Sequence, residues 1–188
     1  PPPNFFLNQH HANPQPYFPR GLVFVYRDRL EGRGLDCELA DKMGWASYHH
    51  PKQGDWVAIP FTWAGELITT QYRSLTEKKF RFKTGASVEL WNADALRDRS
   101  LDSQPLIIAE GACDGLACVQ VGHLRTVAVP GWSEKNYDPG NYEPFKKHEA
   151  DIKLAKRIIV TQHDDDAGAA MLKAIANFFD ESDVAFVK

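Results

Sequence analysis

Hydrophobic and polar positions change their rhythm along this chain, and each change predicts a different kind of element. From Gly21, "VFVYRDRLEGRG" runs to a glycine pair, and "LDCELADKMGW" spaces Leu35, Leu39 and Met43 four apart, which predicts two short helices. The runs "DWVAIPFTW" and "ELITTQYRS" are joined at Ala64-Gly65, and "KKFRFKTG" alternates basic with aromatic side chains. Together they predict a small antiparallel sheet. After Ser103 the rhythm becomes strand, helix, strand. "PLIIAE", "TVAVPG", "RIIVTQH" and "VAFV" read as strands, and "DGLACVQVG" and "AGAAMLKAIANFF" as helices. Such alternation implies parallel pairing through crossovers. The expected class is α/β, α+β overall: a parallel sheet flanked by helices, preceded by a small mixed lobe with an antiparallel hairpin.

Half of the twelve prolines fall in residues 1–19, so 1–20 reads as a Pro-rich linker or domain edge. The expected divisions are then 21–103, a mixed lobe, and 104–188, the parallel-sheet domain. The stretch from Trp132 to Glu149 is expected to be a surface excursion.

A length of 188 residues, 43% of them hydrophobic and 25% charged, suits one globular domain or two small lobes. A net charge of -3 argues against a generally basic nucleic-acid coat and leaves room for local basic patches. Cys37, Cys113 and Cys118 are an odd number with no Cys-x-x-Cys spacing, which predicts free thiols in a reducing compartment. No run is long enough to span a membrane and no signal segment opens the chain, so the expected location is the cytoplasm.

Polar residues collect where parallel strands present ligands, at their carboxyl ends. In "IIAEGACDGLA", Glu110 follows four apolar strand residues, Gly111 is expected to let the chain turn sharply, and Asp114 stands in the first turn of the next helix. Asp114 is equally well placed to cap that helix. In "RIIVTQHDDDAG", His163 shares a face with Asp165 if the segment is extended, and Asp164 with Asp166. Either pair can coordinate a hard divalent cation beside Glu110; the alternative is a solvated acidic turn capping the helix that begins near Ala167.

Taken together, "LIIAEGACDGLACVQVG" and "RIIVTQHDDDAGAAM" resemble the Toprim domain of primases, topoisomerases and certain nucleases, in which one strand ends in Glu-Gly-x-x-Asp-Ala and another in Asp-x-Asp-x-x-Gly. Counting back from Gly168, the second aspartate of that pattern falls on Asp165 and the first on His163, a departure. Gly115 replaces the usual alanine of the first motif. Upstream, "RGLDCELADKMGW", "WVAIPFTWAGELITTQYRS" and "KKFRFKTGASVELWN" resemble, in order, segments of phage-type DNA primases, the RNA-polymerase core of the primase/helicase family. The similarity spans about residues 26–188.

That resemblance implies a nucleotidyltransferase making short RNA primers on single-stranded DNA in phage or bacterial replication. It implies Glu110, Asp114 and Asp165 as catalytic residues, and Glu110, His163, Asp164, Asp165 and Asp166 as the ligands of Mg2+ or Mn2+. Ribonucleoside triphosphates and template would meet Arg73, Lys78, Lys79, Arg81, Lys83, Gly111 and Gly168. A helicase and a zinc-binding module, on this or another chain, would be partners, the host cell would be bacterial, and no membrane would be involved. Between Gln71 and Lys83 five basic side chains face one glutamate, the basic ridge that phosphate binding needs. An exposed edge strand guarded by lysines would look the same. Phe80 and Phe82 are read as packing residues, and Trp45, Trp56, Trp63 and Trp91 as core. His10, His11, His49 and His50 are read as surface histidines. Two other classes fit the motifs. One is a Toprim nuclease or topoisomerase-like cleaver with Tyr137 or Tyr142 as nucleophile, and the other is a non-catalytic nucleic-acid-binding domain. The absence of a zinc module and of a helicase phosphate loop makes a partial protein the expectation.

Overall fold

The structure is a computed structural model; it describes residues 22–50, 52–130, 142–161, 164–179 and 184–187. The Pro-rich segment 1–20, Tyr137 and His163 lie outside the described residues.

Helix α1 (Leu22–Glu31) and helix α2 (Cys37–Lys42) form as the apolar spacing predicts. Asp36 caps α2 by accepting hydrogen bonds from the amides of Glu38 (2.8 Å) and Leu39 (3.1 Å), two donors that the first helical turn cannot satisfy itself. Strands β1 (Ala46–His50), β2 (Gly54–Trp63), β3 (Glu66–Ser74) and β4 (Phe80–Phe82) make an antiparallel sheet in that order. The β2–β3 turn is Ala64 (φ 56) and Gly65 (φ 77), both left-handed, the two-residue turn whose twist matches its flanking strands. Strand β1, "ASYHH", is unannounced by the sequence. Its alternation is too polar to read, and it exists because β2 offers it a full ladder from Ala46↔Ala58 to His50↔Gly54.

The second sheet is parallel, in the order β6-β5-β7-β8, with β5 (Leu106–Ala109), β6 (Thr126–Ala128), β7 (Ile158–Thr161) and β8 (Val184–Val187). Helix α3 (Ala112–Gln120) follows β5, and α6 (Asp166–Phe178) follows β7. The excursion expected up to Glu149 is corrected for its described part. Helices α4 (Glu143–Lys147) and α5 (Glu149–Ile152) lie there, and Tyr142, Phe145, His148 and Ile152 are buried. Clustered aromatics in a charged stretch hide such a segment, because only tertiary packing reveals which side is inward.

Two cores result. Leu106, Ile108, Val127 and Val160 pack with Phe145, Met171 and Ile175 on one side of the parallel sheet. The other core is shared by both sheets: Trp45, Val57, Ile59 and Phe61 pack with Trp91, Ala109, Ala112, Leu116 and Ala128. Trp45 and Trp91 meet edge to face at 6.1 Å between ring centroids. Gln120, at the end of α3, accepts from the Asp36 amide (2.8 Å) and donates to the Gly34 carbonyl (3.0 Å), fastening the α1–α2 turn to the parallel-sheet lobe.

Candidate functional site

Parallel pairing sets Ala109 beside Thr161, so β5 and β7 deliver their carboxyl ends side by side at the ordinary inter-strand spacing of about 4.8 Å. Glu110, half-buried, is the first residue past β5; the exposed Asp164, Asp165 and Asp166 follow β7. The two acidic motifs, far apart in sequence, therefore leave the sheet at one edge.

Gly111 is the N-cap of α3, but its φ of -150° is extended backbone open to any residue. The expectation of a sharp glycine turn is corrected to one of space: a Cβ there would stand 3.2 Å from Asp114 Oδ2. Asp114 lies in the first turn of α3, where the helix dipole favours a carboxylate. Gly115 has a packing reason as well, since a Cβ would come within 2.7 Å of the Trp91 ring and 3.2 Å of Ala128 Cβ. The departure from the usual alanine answers a tryptophan twenty-odd residues upstream.

Asp165 is the N-cap of α6, its Oδ1 accepting from the Gly168 amide at 2.9 Å. Gly168 donates its N–H to Asp165 and is buried. A carboxylate offers about four lone-pair sites, so capping fixes the orientation of Asp165 and leaves it acceptor capacity. Among the described residues, no three His, Cys, Asp or Glu side chains are drawn around one point. The donor chemistry nevertheless fits a hard cation, because Glu110, Asp114 and Asp164 to Asp166 supply carboxylate oxygens only.

The basic residues approach this edge through Arg73. From β3 it donates to Cys113 Sγ at 2.9 Å, in the first turn of α3 next to Asp114. Burial pushes the Cys113 thiol above its usual pKa, while the guanidinium opposes that shift, so the group is a neutral thiol at physiological pH. Arg73 also lies 5.0 Å from the Phe80 ring centroid. Arg81 points elsewhere, donating to Gln53 Oε1 at 2.6 Å and lying over Trp56 at 5.4 Å. Lys78, Lys79 and Lys83 are exposed, and Lys79 is paired with Glu77. A shallow cleft beside α3 is lined by Arg73 together with Arg29 and Arg33. These two arginines were missed by sequence reasoning; the signal available was their recurrence through "RDRLEGR" on and just after α1.

Phe82 packs against Phe61 at 5.7 Å, as expected of a core-facing position, whereas Phe80 is 43% exposed and its reading as a packing residue is corrected. Trp45, Trp56 and Trp91 are buried and Trp63 packs against the parallel-sheet core, in line with expectation. His49 pairs with Asp55 across the β1–β2 ladder at 2.7 Å in an exposed position, which suits a surface histidine. The three cysteines are free thiols. Tyr142 is 2% exposed, which removes it as a surface nucleophile.

Sequence reasoning also missed Glu89, which is fully buried. It accepts from the Leu90 amide (2.8 Å), is in contact with His148 Nε2 (2.6 Å), and forms an ion pair with Lys147. Burial alone would raise its pKa; hydrogen bonds from His148, Lys147 and the Leu90 amide outweigh burial and hold the carboxyl below its usual value.

No protein-family profile matches the chain. Over 134 residues it is 31% identical to "Twinkle homolog protein, chloroplastic/mitochondrial" of Arabidopsis thaliana, covering 65% of this chain and 18% of that protein. Over 133 residues it is 29% identical to "Primase homolog protein" of the same plant, covering 65% and 38%. The chain thus spans less than two-fifths of the length of either relative. Among solved structures, the primase fragment of the bacteriophage T7 primase-helicase protein superposes with a TM-score of 0.67 at 14% identity, covering 85% of this chain and 63% of that one. The RNA polymerase domain of Mycobacterium tuberculosis primase DnaG gives 0.61 at 20%, covering 88% and 68%. The fold is that of primase catalytic cores.

Proposed function

From this primase-core fold we propose that the chain is the nucleotidyltransferase part of a DNA primase, joining ribonucleotides on a single-stranded DNA template. The observation that supports it most is the convergence of Glu110 and the Asp164 to Asp166 cluster at the ends of paired strands, with Arg73 tying the basic strands to α3 beside them. Primer synthesis joins a 3′-hydroxyl to an α-phosphate and breaks the α–β phosphoanhydride bond to release pyrophosphate, which needs negative charge neutralised on the leaving side and a proton accepted from the hydroxyl on the other.

Glu110, Asp164, Asp165 and Asp166 would hold Mg2+ or Mn2+, with Asp114 supporting Glu110 from the first turn of α3, and His163 as a further ligand by resemblance. Such a cation supplies electrostatic stabilisation of the attacking and leaving oxygens. Glu110 would also accept the proton of the attacking hydroxyl. The Asp165 cap keeps that carboxylate in one orientation through the reaction. Arg73, Arg29 and Arg33 hold triphosphate oxygens beside α3, and Lys78, Lys79 and Lys83 track template phosphates. Template choice and unwinding would fall to a zinc-binding module and a helicase, in keeping with the primase-helicase and Twinkle names of similar proteins. Free thiols suit a reducing compartment, either bacterial cytoplasm or an organelle interior such as the name of the plant Twinkle homolog indicates. Among the described residues, no helix is long and apolar enough to cross a membrane.

The test is synthesis of labelled oligonucleotides from ribonucleoside triphosphates on single-stranded DNA with Mg2+ or Mn2+. Wild type should make them and Glu110→Gln should not. Nicking of supercoiled plasmid without nucleotides, with no oligonucleotide made, would replace this reading with the nuclease one.

A further inference from the structure

Phe80 is one of five large apolar side chains exposed among the described residues, with Leu67, Val88, Val121 and Leu154, and it alone of these is flanked on both sides by basic residues, Lys79 and Arg81. It opens β4, which pairs only with β3 and so forms an edge of its sheet. An edge that needs protection from unwanted pairing is served by its lysines; an exposed aromatic ring works against that purpose. The ring therefore calls for an occupant.

Its surroundings identify one. The Arg73 guanidinium lies 5.0 Å from the ring centroid and is itself bonded to Cys113 beside Asp114, so Phe80 stands one side chain away from the acidic edge of the parallel sheet. Lys78, Lys79 and Lys83 are exposed near it in sequence, while Arg81 lies on the alternate face of β4 against Gln53 and Trp56. A flat apolar surface bordered by cations, one of them already against the π system, matches a nucleobase with its phosphates on either side. We propose that Phe80 is a stacking platform for an unpaired base of the single-stranded template, holding the strand on β4 as it approaches the acidic site. This deepens the primase reading and rests on it for the identity of the strand. Stacking is indifferent to base identity, so the platform contributes affinity and register without sequence preference.

Binding of fluorescein-labelled single-stranded DNA, followed by anisotropy without metal or nucleotides, tests the assignment separately from catalysis. Phe80→Ala and Phe80→Leu should each weaken binding, by roughly five- to a hundredfold if stacking has its usual strength. Phe80→Trp should bind at least as well as wild type. The loss should shrink on an oligonucleotide of abasic sites, where phosphates remain and no base can stack. Leucine fills the same apolar space, so its failure to rescue distinguishes stacking from packing, and circular dichroism of each variant checks folding. The proposal falls if Phe80→Leu binds within twofold of wild type, if the loss persists on abasic DNA, or if Phe80 variants weaken ATP binding while leaving DNA binding intact. Phe80-dependent DNA binding in a protein that makes no primers would sink the primase reading and leave the platform standing; primer synthesis with normal binding by Phe80→Leu would do the reverse.

Discussion

Gly115 and Trp91 meet so closely that a Cβ on the glycine would stand 2.7 Å from Cζ3 of the indole. Trp91 is 1% exposed and also bridges to Ala128, so it has no room to yield. Helix α3 sits at its observed height above the sheet because residue 115 has no side chain, and Glu110 and Asp114 are positioned by that packing.

Gly115→Ala should therefore destabilise the protein. Overpacking costs about 1–3 kcal/mol, and the better helix propensity of alanine offsets about 1 kcal/mol of it. Urea denaturation should show a lower midpoint, and Trp91→Leu should reduce the penalty in a double-mutant cycle. A midpoint above wild type would contradict the packing account.

Asp165 allows folding and chemistry to be separated. Asp165→Asn retains a good N-cap for α6, whereas Asp165→Ala loses the bond to the Gly168 amide and should cost about 1 kcal/mol. Both should lose primer synthesis, because neither carries the charge. If Asp165→Asn stayed active, its carboxylate would be a cap only.

Glu89 makes stability depend on acid. Its folded pKa lies below the ordinary value of 4.5, so its contribution is complete above that value and is lost as pH falls through the lower folded pKa. Glu89→Gln should destabilise by about 1–3 kcal/mol near neutral pH, since the buried site would lose the carboxylate that faces Lys147 and the His148 ring. The gap from wild type should narrow as pH falls below 4.5, a trend that thermal melts in a pH series would reveal. A gap independent of pH would mean that Glu89 acts by shape rather than charge.

The lysines of the β3–β4 region should act through phosphates. Replacing Lys78 or Lys83 with alanine should weaken single-stranded DNA binding at low salt. For each phosphate no longer neutralised, the slope of log affinity against log salt should become shallower by about 0.7. An unchanged slope would leave those lysines as guards of the edge strand.

Much of this was readable in the sequence, for reasons that are local. Short apolar runs bounded by turn residues read as strands, as in β5 and β7, and Asp36 and Asp165 precede helices because capping is a short-range interaction. Strand β1 was not readable because its polar alternation gives no signal and only pairing with the adjacent β2 orders it, and helices α4 and α5 were not because the residues they bury against are distant in sequence.

The amino-acid order by itself determined the change from an antiparallel to an alternating strand-helix region and placed an acidic motif after each of two strands. Only the tertiary structure decided that these strands are neighbours, with Ala109 beside Thr161, and that Arg73 reaches Cys113 from the other sheet. It also separated two phenylalanines that the two-residue period makes equivalent. Phe61 covers Phe82, whereas Phe80 keeps 43% of its surface exposed beside Arg73 at the edge of the sheet. Periodicity fixes the face on which a side chain lies; exposure depends on what packs over that face, and those residues come from elsewhere in the chain.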